Sequence, residues 1–570
     1  MGLFYFIFLA LHIRFCSSRP HNATTSYLAI LSKKTSQPLP IENMFKLPSS
    51  LPSWPQGVGF ATGTIDLGGL QVCQVSTFNK VWATHEGGPD NLGATFFEPS
   101  SIPDGFSILG YYSQPNNSPL FGWILAAKDV SSDQAILKNP TDYSLVWSSE
   151  SLKIAQDGVG YFWLPIPPHG YKAIGQVITN STDKPALEKV RCVRSDFTDV
   201  SDIDSLIWSS SNGISMYSSM PKDRGSQALG VSTGTFILAQ NNNAATSLAC
   251  LKNVQGNFSA MPNLNQIEAL VQEYSPVIYF HPDEEFFPSS VKWFFQNGAL
   301  LYTKGQENNP IAITPAGSNL PQGGSNDGAY WLDLPSDDAA KDRVKKGNLQ
   351  DATVYLHVKP MLGAAFTDLA MWIFYPFNGA ARAKVEFFTV KLGKIGEHVG
   401  DWEHVTLRIS NFNGELKSVY FSEHSAGTWV SASEVEFQNG NKFVVYSSLH
   451  GHAAYSKTGD FLQGNSNIGI RNDTGKGKIF MDVGANCLVV SGDYLGSRIV
   501  EPPWLNYARE WGPKISYDVD DEIKKVEKIL PGKLRSEFEK VIRGLPNQVL
   551  GEEGPTGPKW KDNWSGDERT

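Results

Sequence analysis

The 570-residue sequence is short of charge, of cysteine and of long apolar runs, and each shortage removes a class of explanation. Asp, Glu, Lys and Arg make up only 18% of the chain, and the net charge is −9. No Lys/Arg cluster stands out, and neutralising phosphates needs a basic surface, so the sequence argues against nucleic acid as the main partner. No apolar run reaches the roughly 18 residues that a membrane-spanning helix needs. The five cysteines, Cys16, Cys73, Cys192, Cys250 and Cys487, are scattered without a C-x-x-C pair or a dense framework. Buried free thiols are therefore expected. A Gly-rich phosphate loop, a G-x-S-x-G elbow and an H-E-x-x-H pair are also missing, which leaves the familiar kinase and hydrolase chemistries without support.

What the chain does have is turn formers and rings. Aromatics account for 12%, with 52 Gly and 34 Pro. That balance indicates a mostly β protein of many short strands, and the length calls for more than one domain. Residues 1–44 read as a leader and linker. Within them Leu3–Ile13 has the length of a signal-peptide apolar core but lacks a basic flank before it. Six Asn-x-Ser/Thr acceptors (Asn22, Asn116, Asn180, Asn257, Asn472, Asn563) are compatible with secretion without requiring it.

Residues 45–255 contain an internal repeat. Copies begin at Phe78, Asp142 and Asp204, and place Trp82, Trp147 and Trp208 at matched positions. Ile102–Gly110 matches Pro167–Gly175, and the third copy keeps only "ALGVSTG" of that half. The expectation is a β-prism-like domain with pseudo-threefold repeats, its tryptophans in the core; an irregular sandwich is the alternative. A new region opens with "LNQIEALVQEY", whose i, i+3, i+4 pattern predicts a short helix. Residues 262–517 then alternate strand-like runs with Gly/Asn turns, as expected of a β-sandwich. The loop "HPDEEFFPSS" reads as solvated. Residues 518–570 read as an amphipathic helical tail broken at Pro531, followed by an extension with no evident core.

The chemistry concentrates in "GEHVGDWEHVTLRISNFNGELKSVYFSEH". Five of the eleven histidines fall between His398 and His452. Alternate strand residues share a face, so Asp401 and Glu403 point together with Trp402 opposite. One imidazole and two carboxylates, His398, Asp401 and Glu403, suit a divalent cation, Ca²⁺ or Mg²⁺ first, Mn²⁺ or Zn²⁺ next. Zn²⁺ would call for His404, His424 or His450 as a further ligand. "LHGHA" would put His450 and His452 on one strand face. A general acid–base carboxylate pair and an exposed, hydrated strand edge are the competing readings.

Several longer stretches carry a resemblance. "LPSWPQGVGFATGTIDLGGLQVCQV", "HVGDWEHVTLRISNFNGEL", "YSSLHGHA", "EPPWLNYAREWGPKI" and "GEEGPTGPKWKDNW" resemble the plant vacuolar protein sorting-associated protein 62 family, a domain of unknown function, from Phe45 to the end. "WIFYPFN", "GEHVGDWEHVTLRIS", "HSAGTW" and "VVYSSLHGHA" are similar to the necrosis- and ethylene-inducing peptide cytolysins. That second resemblance implies a β-sandwich in which His398, Asp401 and Glu403 hold a divalent cation that helps docking on sphingolipid sugar head groups. Two departures stand out. Gly400 replaces the second histidine of the pattern, and Asn378 sits where an upstream Asp is expected.

The reading is a non-enzymatic, divalent-metal-assisted binder of membrane lipid head groups or glycans, acting in vacuolar sorting or defence. His398, Asp401 and Glu403 are its metal ligands, and Asn378, His404, His424, His450 and His452 its cleft candidates. Peripheral endomembrane or vacuole-related placement is expected, or secretion if Met1–Ser18 is a signal peptide. The rivals are a metal-dependent hydrolase on the same cluster and a trafficking scaffold whose cluster is structural.

Overall fold

The computed structural model describes residues 38–568, apart from 211–212, 241–242, 245–246, 387, 425, 465–467, 515–518, 529, 531, 545–549 and 551–552. The leader through residue 37, with Met1–Ser18 and Asn22, and the helix break at Pro531 lie outside the described residues. The protein is mostly β. In the first half each repeat copy contributes one antiparallel three-strand meander. These run through Phe78–Ala83, Ala94–Pro99 and Tyr112–Pro115, then Asp142–Ser148, Tyr161–Ile166 and Val177–Thr179, then Thr198–Ser209, Ile214–Pro221 and Phe236–Gln240. The matched tryptophans meet in sequence, Trp82 with Trp147 at 6.3 Å and Trp147 with Trp208 at 6.0 Å between ring centroids. Trp82 and Trp208 are fully buried, as expected of core residues. Asn116 is buried too, its amide donating to Thr84 O and Leu92 O, so this acceptor is closed to glycosylation in the folded chain.

The second half is built on a six-stranded sheet. Its order is Ala426–Ser431, Leu416–Glu423, His398–Ser410, Phe366–Asn378, Val354–Met361 and Cys487–Ser491. Every residue of Val354–Met361 and Phe366–Asn378 is buried, because the sheet is covered on both faces. One face, with Leu369, Met371, Ile373 and Tyr375, packs under the Leu264–Tyr274 helix. That helix is the one the sequence predicts, and Asn263 and Gln266 close a capping box at its start. The other face carries Trp372, Phe374 and Trp402 into a cluster with Trp504 and Trp511. Among the described residues no sheet strand before Lys252 pairs with one after Val277. Packing nevertheless crosses that line, since Leu67, Leu125 and Val231 share a core with Met361, Phe366 and Phe412.

Three segments depart from their sequence reading. "LHGHA" is a turn after the Lys442–Ser447 strand, not a strand face: His450 and His452 have φ of +67° and +57°, around Gly451. Left-handed backbone is costly for residues with a Cβ. Here a hydrogen bond from His452 N to Ser448 O closes the turn, and Glu284 accepts from His450 N. Glu284 is thereby buried, although its loop reads as solvated. The tail helices Val519–Glu527 and Gly532–Arg543 bury Ile523, Phe538 and Ile542 against Val385, Ile468 and Ile470. After them, residues 553–568 cross the main sheet as a strap whose last described residues, Asp567 and Glu568, are buried.

Candidate functional site

The site begins as a defect in strand pairing. The Leu416–Glu423 strand pairs with His398–Ser410 only from Val405↔Phe421 to Ile409↔Leu416. Residues 398–404 therefore keep an unpaired backbone edge, and the strap closes over it. A cleft of about 720 Å³ forms there, with His398, Asp401, Glu403, His404, Ser422 and His424 on the sheet side. The strap supplies the facing wall, including Trp560, Lys561, Asn563 and Asp567. Lys561 Nζ donates to Trp402 O at 3.4 Å, occupying one of the free edge acceptors.

Register assigns the side chains to faces. Asp401 lies opposite Tyr375 and Glu403 opposite Ile373, while Trp402 lies opposite Phe374 and His404 opposite Trp372. The alternation read from the sequence is thus realised. Gly400 makes it possible: its φ is +74°, and a Cβ there would stand 2.4 Å from Trp511 O. A histidine at this position, as in the resembling pattern, would collide with that carbonyl.

Both carboxylates are buried but differently held. Asp401 Oδ2 accepts from His452 Nδ1 at 2.9 Å, and Oδ1 lies 3.9 Å from His398 Nε2. Burial would raise the Asp401 carboxyl; the His452 hydrogen bond and the neighbouring imidazoles hold it below its ordinary range. Glu403 Oε2 accepts from Ser422 Oγ at 2.7 Å, and Oε1 lies 3.8 Å from His424 Nδ1. Burial, and then the charge of Asp401, push Glu403 up to about 8. Burial lowers His398 and His424, which favours neutral rings with a lone pair to give. His424 also bonds Asn472 Oδ1 through Nε2 at 2.9 Å, and the Nδ1 of His398 is buried without a partner.

Behind this face His452 is clamped. Its ring lies flat on Tyr375 at 3.9 Å, and its Nε2 bonds Phe286 O at 3.1 Å and approaches Glu284 Oε1 at 3.8 Å. Burial pulls the imidazole down, yet Asp401 and Glu284 raise it to about 9. The result is a buried Glu284–His452–Asp401 chain that orients one carboxylate of the cleft.

His404 belongs to a second network on the opposite face. It stacks on Trp372 at 4.3 Å, and its Nε2 meets Glu568 at 3.2 Å and Asn563 Nδ2 at 2.9 Å. Thr406 Oγ1 donates to Glu568 at 2.6 Å, and buried Lys359 donates to Asn563 O and Gly566 O. Arg408 grips Asp368 with two bonds and Asp567 with a third. His404 is therefore committed to the strap and faces away from Asp401 and Glu403. Asn378 is tied to Gly379 O and Gly396 O, and His450 packs edge-on to Phe286; neither lines the cleft.

Of the residues singled out from the sequence, His398, Asp401, Glu403, His404 and His424 thus line one cavity, His404 at the strap that binds it, with His452 behind. Among the described residues no group of three or more His, Cys, Asp or Glu is closed around a point ready to hold a metal ion. The two imidazole–carboxylate gaps are too long for hydrogen bonds. A cation bonded at roughly 2.0–2.4 Å to both partners would fit either gap. Glu284, Lys359 and the strap residues were not legible as site residues. Trp560 and Trp564 in an otherwise polar tail were the available signal, since a solvated extension has little use for large rings.

The sequence model of the family described as vacuolar protein sorting-associated protein 62 matches residues 41–568. The chain belongs to this family. Two relatives of this vacuolar protein sorting-associated protein 62 member come from Saccharomyces cerevisiae. The vacuolar sorting-associated protein TDA6 is 27% identical over 192 residues, 30% of this chain and 39% of the relative. The yeast vacuolar protein sorting-associated protein 62 is 24% identical over 184 residues, 29% of this chain and 38% of the relative. The match thus spans well under half of either yeast protein. Among solved structures, NLPPya in complex with glucosamine is 14% identical, with 37% of this family member and 69% of that chain covered at a TM-score of 0.18.

Proposed function

We propose that this chain is a non-enzymatic binding protein whose cleft takes the sugar head group of a membrane glycoconjugate with the help of a divalent cation, Ca²⁺ or Mg²⁺. The observation that carries this reading is the pair of open gaps, His398–Asp401 at 3.9 Å and Glu403–His424 at 3.8 Å, facing one cleft. Two buried carboxylates side by side repel, and a cation relieves that cost. His398, Asp401, Glu403 and His424 would hold it, and its remaining coordination would go to ligand hydroxyls. Membership of a vacuolar sorting family supports peripheral association with endomembranes as the setting.

The test is calorimetric titration of the metal-stripped full chain with Ca²⁺, Mg²⁺, Mn²⁺ and Zn²⁺, then with glucosamine in the presence of the ion that binds. Saturable ion binding lost in Asp401→Asn/Glu403→Gln, with glucosamine binding only when the ion is present, is expected. No ion binding by folded wild-type protein would end this reading in favour of a scaffold with a structural cluster.

One observation favours a second reading, a metal-dependent hydrolase. The environments of Asp401 and Glu403 push their proton affinities in opposite directions, the pattern of an acid–base carboxylate pair. It requires product formation from a glycoconjugate that Glu403→Gln abolishes; binding without turnover rules it out.

A further inference from the structure

We infer that Trp560 divides a two-part ligand site, and that the ligand is a carbohydrate of at least two linked rings. The inference rests on the sugar-binding reading of the cleft above. Trp560 lines that cleft and also a second cavity of about 410 Å³, and is shared by both. Both volumes fall within the roughly 300–1,000 Å³ of small-molecule sites. Trp560 is 48% exposed, and it is the one tryptophan among the exposed large apolar residues of the described chain.

That exposure is held in place. Trp560 N donates to Gly557 O at 3.1 Å in a single 3-10 turn, Pro558–Trp560. On one side Lys559 is bound to Glu501 and to Asn506 Oδ1; on the other Lys561 is bound to Trp402 O. The backbone that carries the ring is thus anchored on both flanks. The second cavity is lined by the polar residues Gln322, Asn506 and Lys559 together with Gly323, Leu505 and Ala508. At Gly323 a Cβ would meet nothing within 4 Å, so the chain there leaves the space open.

A flat aromatic face beside amide and ammonium groups suits a pyranose, whose C–H face lies on the ring while its hydroxyls take the hydrogen bonds. An indole with only Leu505 and Ala508 as apolar company in the second cavity does not suit an acyl chain, which needs a larger contiguous apolar surface. A sugar in the first cleft linked to another across Trp560 would use both cavities at once.

The experiment is titration of the full chain, with the cation of the first cleft present, with glucosamine and with its β-1,4-linked dimer and trimer. The dimer is expected to bind about tenfold more tightly than the monomer. Trp560→Ala should bring the dimer-to-monomer ratio close to one, and Trp560→Phe should retain most of it. Gln322→Ala, which touches only the second cavity, should weaken the dimer and leave glucosamine unchanged. Equal binding of monomer and dimer by wild type, or a ratio that survives Trp560→Ala, overturns the inference while leaving the one-sugar reading intact. Failure of all three sugars to bind overturns both.

Discussion

Arg408 offers the sharpest test of how the strap is held. Its guanidinium donates to Asp368 at 2.9 and 2.8 Å, to Asp567 at 2.5 Å, and lies over Trp429 at 4.3 Å. Asp368 is completely buried and Asp567 is 4% exposed, so neither can turn to water if the cation is removed. Arg408→Met keeps the length of the side chain and deletes the charge, leaving buried Asp368 without its hydrogen-bond partner and Asp567 with Arg224 at 3.8 Å as its remaining cation. Breaking a buried ion pair from one side costs about 3–5 kcal/mol. Loss of the cation–π contact adds about 0.5–1 kcal/mol. Against a total stability of about 5–15 kcal/mol this is a large fraction. Urea unfolding followed by tryptophan fluorescence measures it on the full chain. The triple variant Arg408→Met/Asp368→Asn/Asp567→Asn removes the orphaned charges as well, and should be more stable than the single variant. A loss below about 1 kcal/mol for Arg408→Met, or a triple variant no better than the single, would refute the argument that this network is what pins the strap.

Three further outcomes are expected. With chelator present, stability should fall between pH 7 and 9, because Glu403 and His452 hold their protons up to about 8 and about 9 in the folded chain against 4.5 and 6.5 ordinarily. The folded state then binds more protons than the unfolded across that window, so its advantage is lost as pH rises through those values. The depressed His398 and His424 act only below about 6.5. Glu403→Gln should remove about 1 kcal/mol of the fall, and parallel urea-midpoint curves for the two proteins would contradict the assignment. Gly400→Ala should destabilise by about 1–3 kcal/mol, since it combines a left-handed φ with a Cβ against the Trp511 carbonyl; an unchanged thermal midpoint would show that this approach is not as tight as described. Glu284→Gln should lower the titration of His452 by removing one of its two carboxylate partners, which imidazole NMR would detect as a shifted midpoint with the fold intact.

Much of this architecture is legible in the sequence because it is local. The runs that become Val354–Met361, Phe366–Asn378 and His398–Ser410 announce themselves by composition, and the Leu264–Tyr274 helix by its period. The shared face of Asp401 and Glu403 follows from strand alternation alone. What the sequence does not disclose is whatever depends on distant pairing. Glu284 meets His450 across 166 residues, and Glu568 meets His404 across 164. No period connects such partners. His404 shows the consequence: it adjoins Glu403 in the chain and has the chemistry of a ligand, but register turns it to the other face, where Glu568 claims it. The "LHGHA" turn fails for a related reason. Its alternation is strand-like, and the contacts that hold it as a left-handed turn, among them those with Glu284, Gly379 and Asp401, come from distant segments.

The strap also sets an order of assembly. Thr406 and Glu568, joined by a 2.6 Å hydrogen bond, are 162 residues apart. The sheet that carries Asp401 and Glu403 therefore leaves the ribosome long before the segment that walls their cleft. Until then Lys359 and Arg408 face the space that Asp567 and Glu568 later fill, two buried-to-be cations without all of their counter-ions. A nascent chain at that stage therefore carries Lys359 and Arg408, the latter held by Asp368 alone, on the face that the strap later covers.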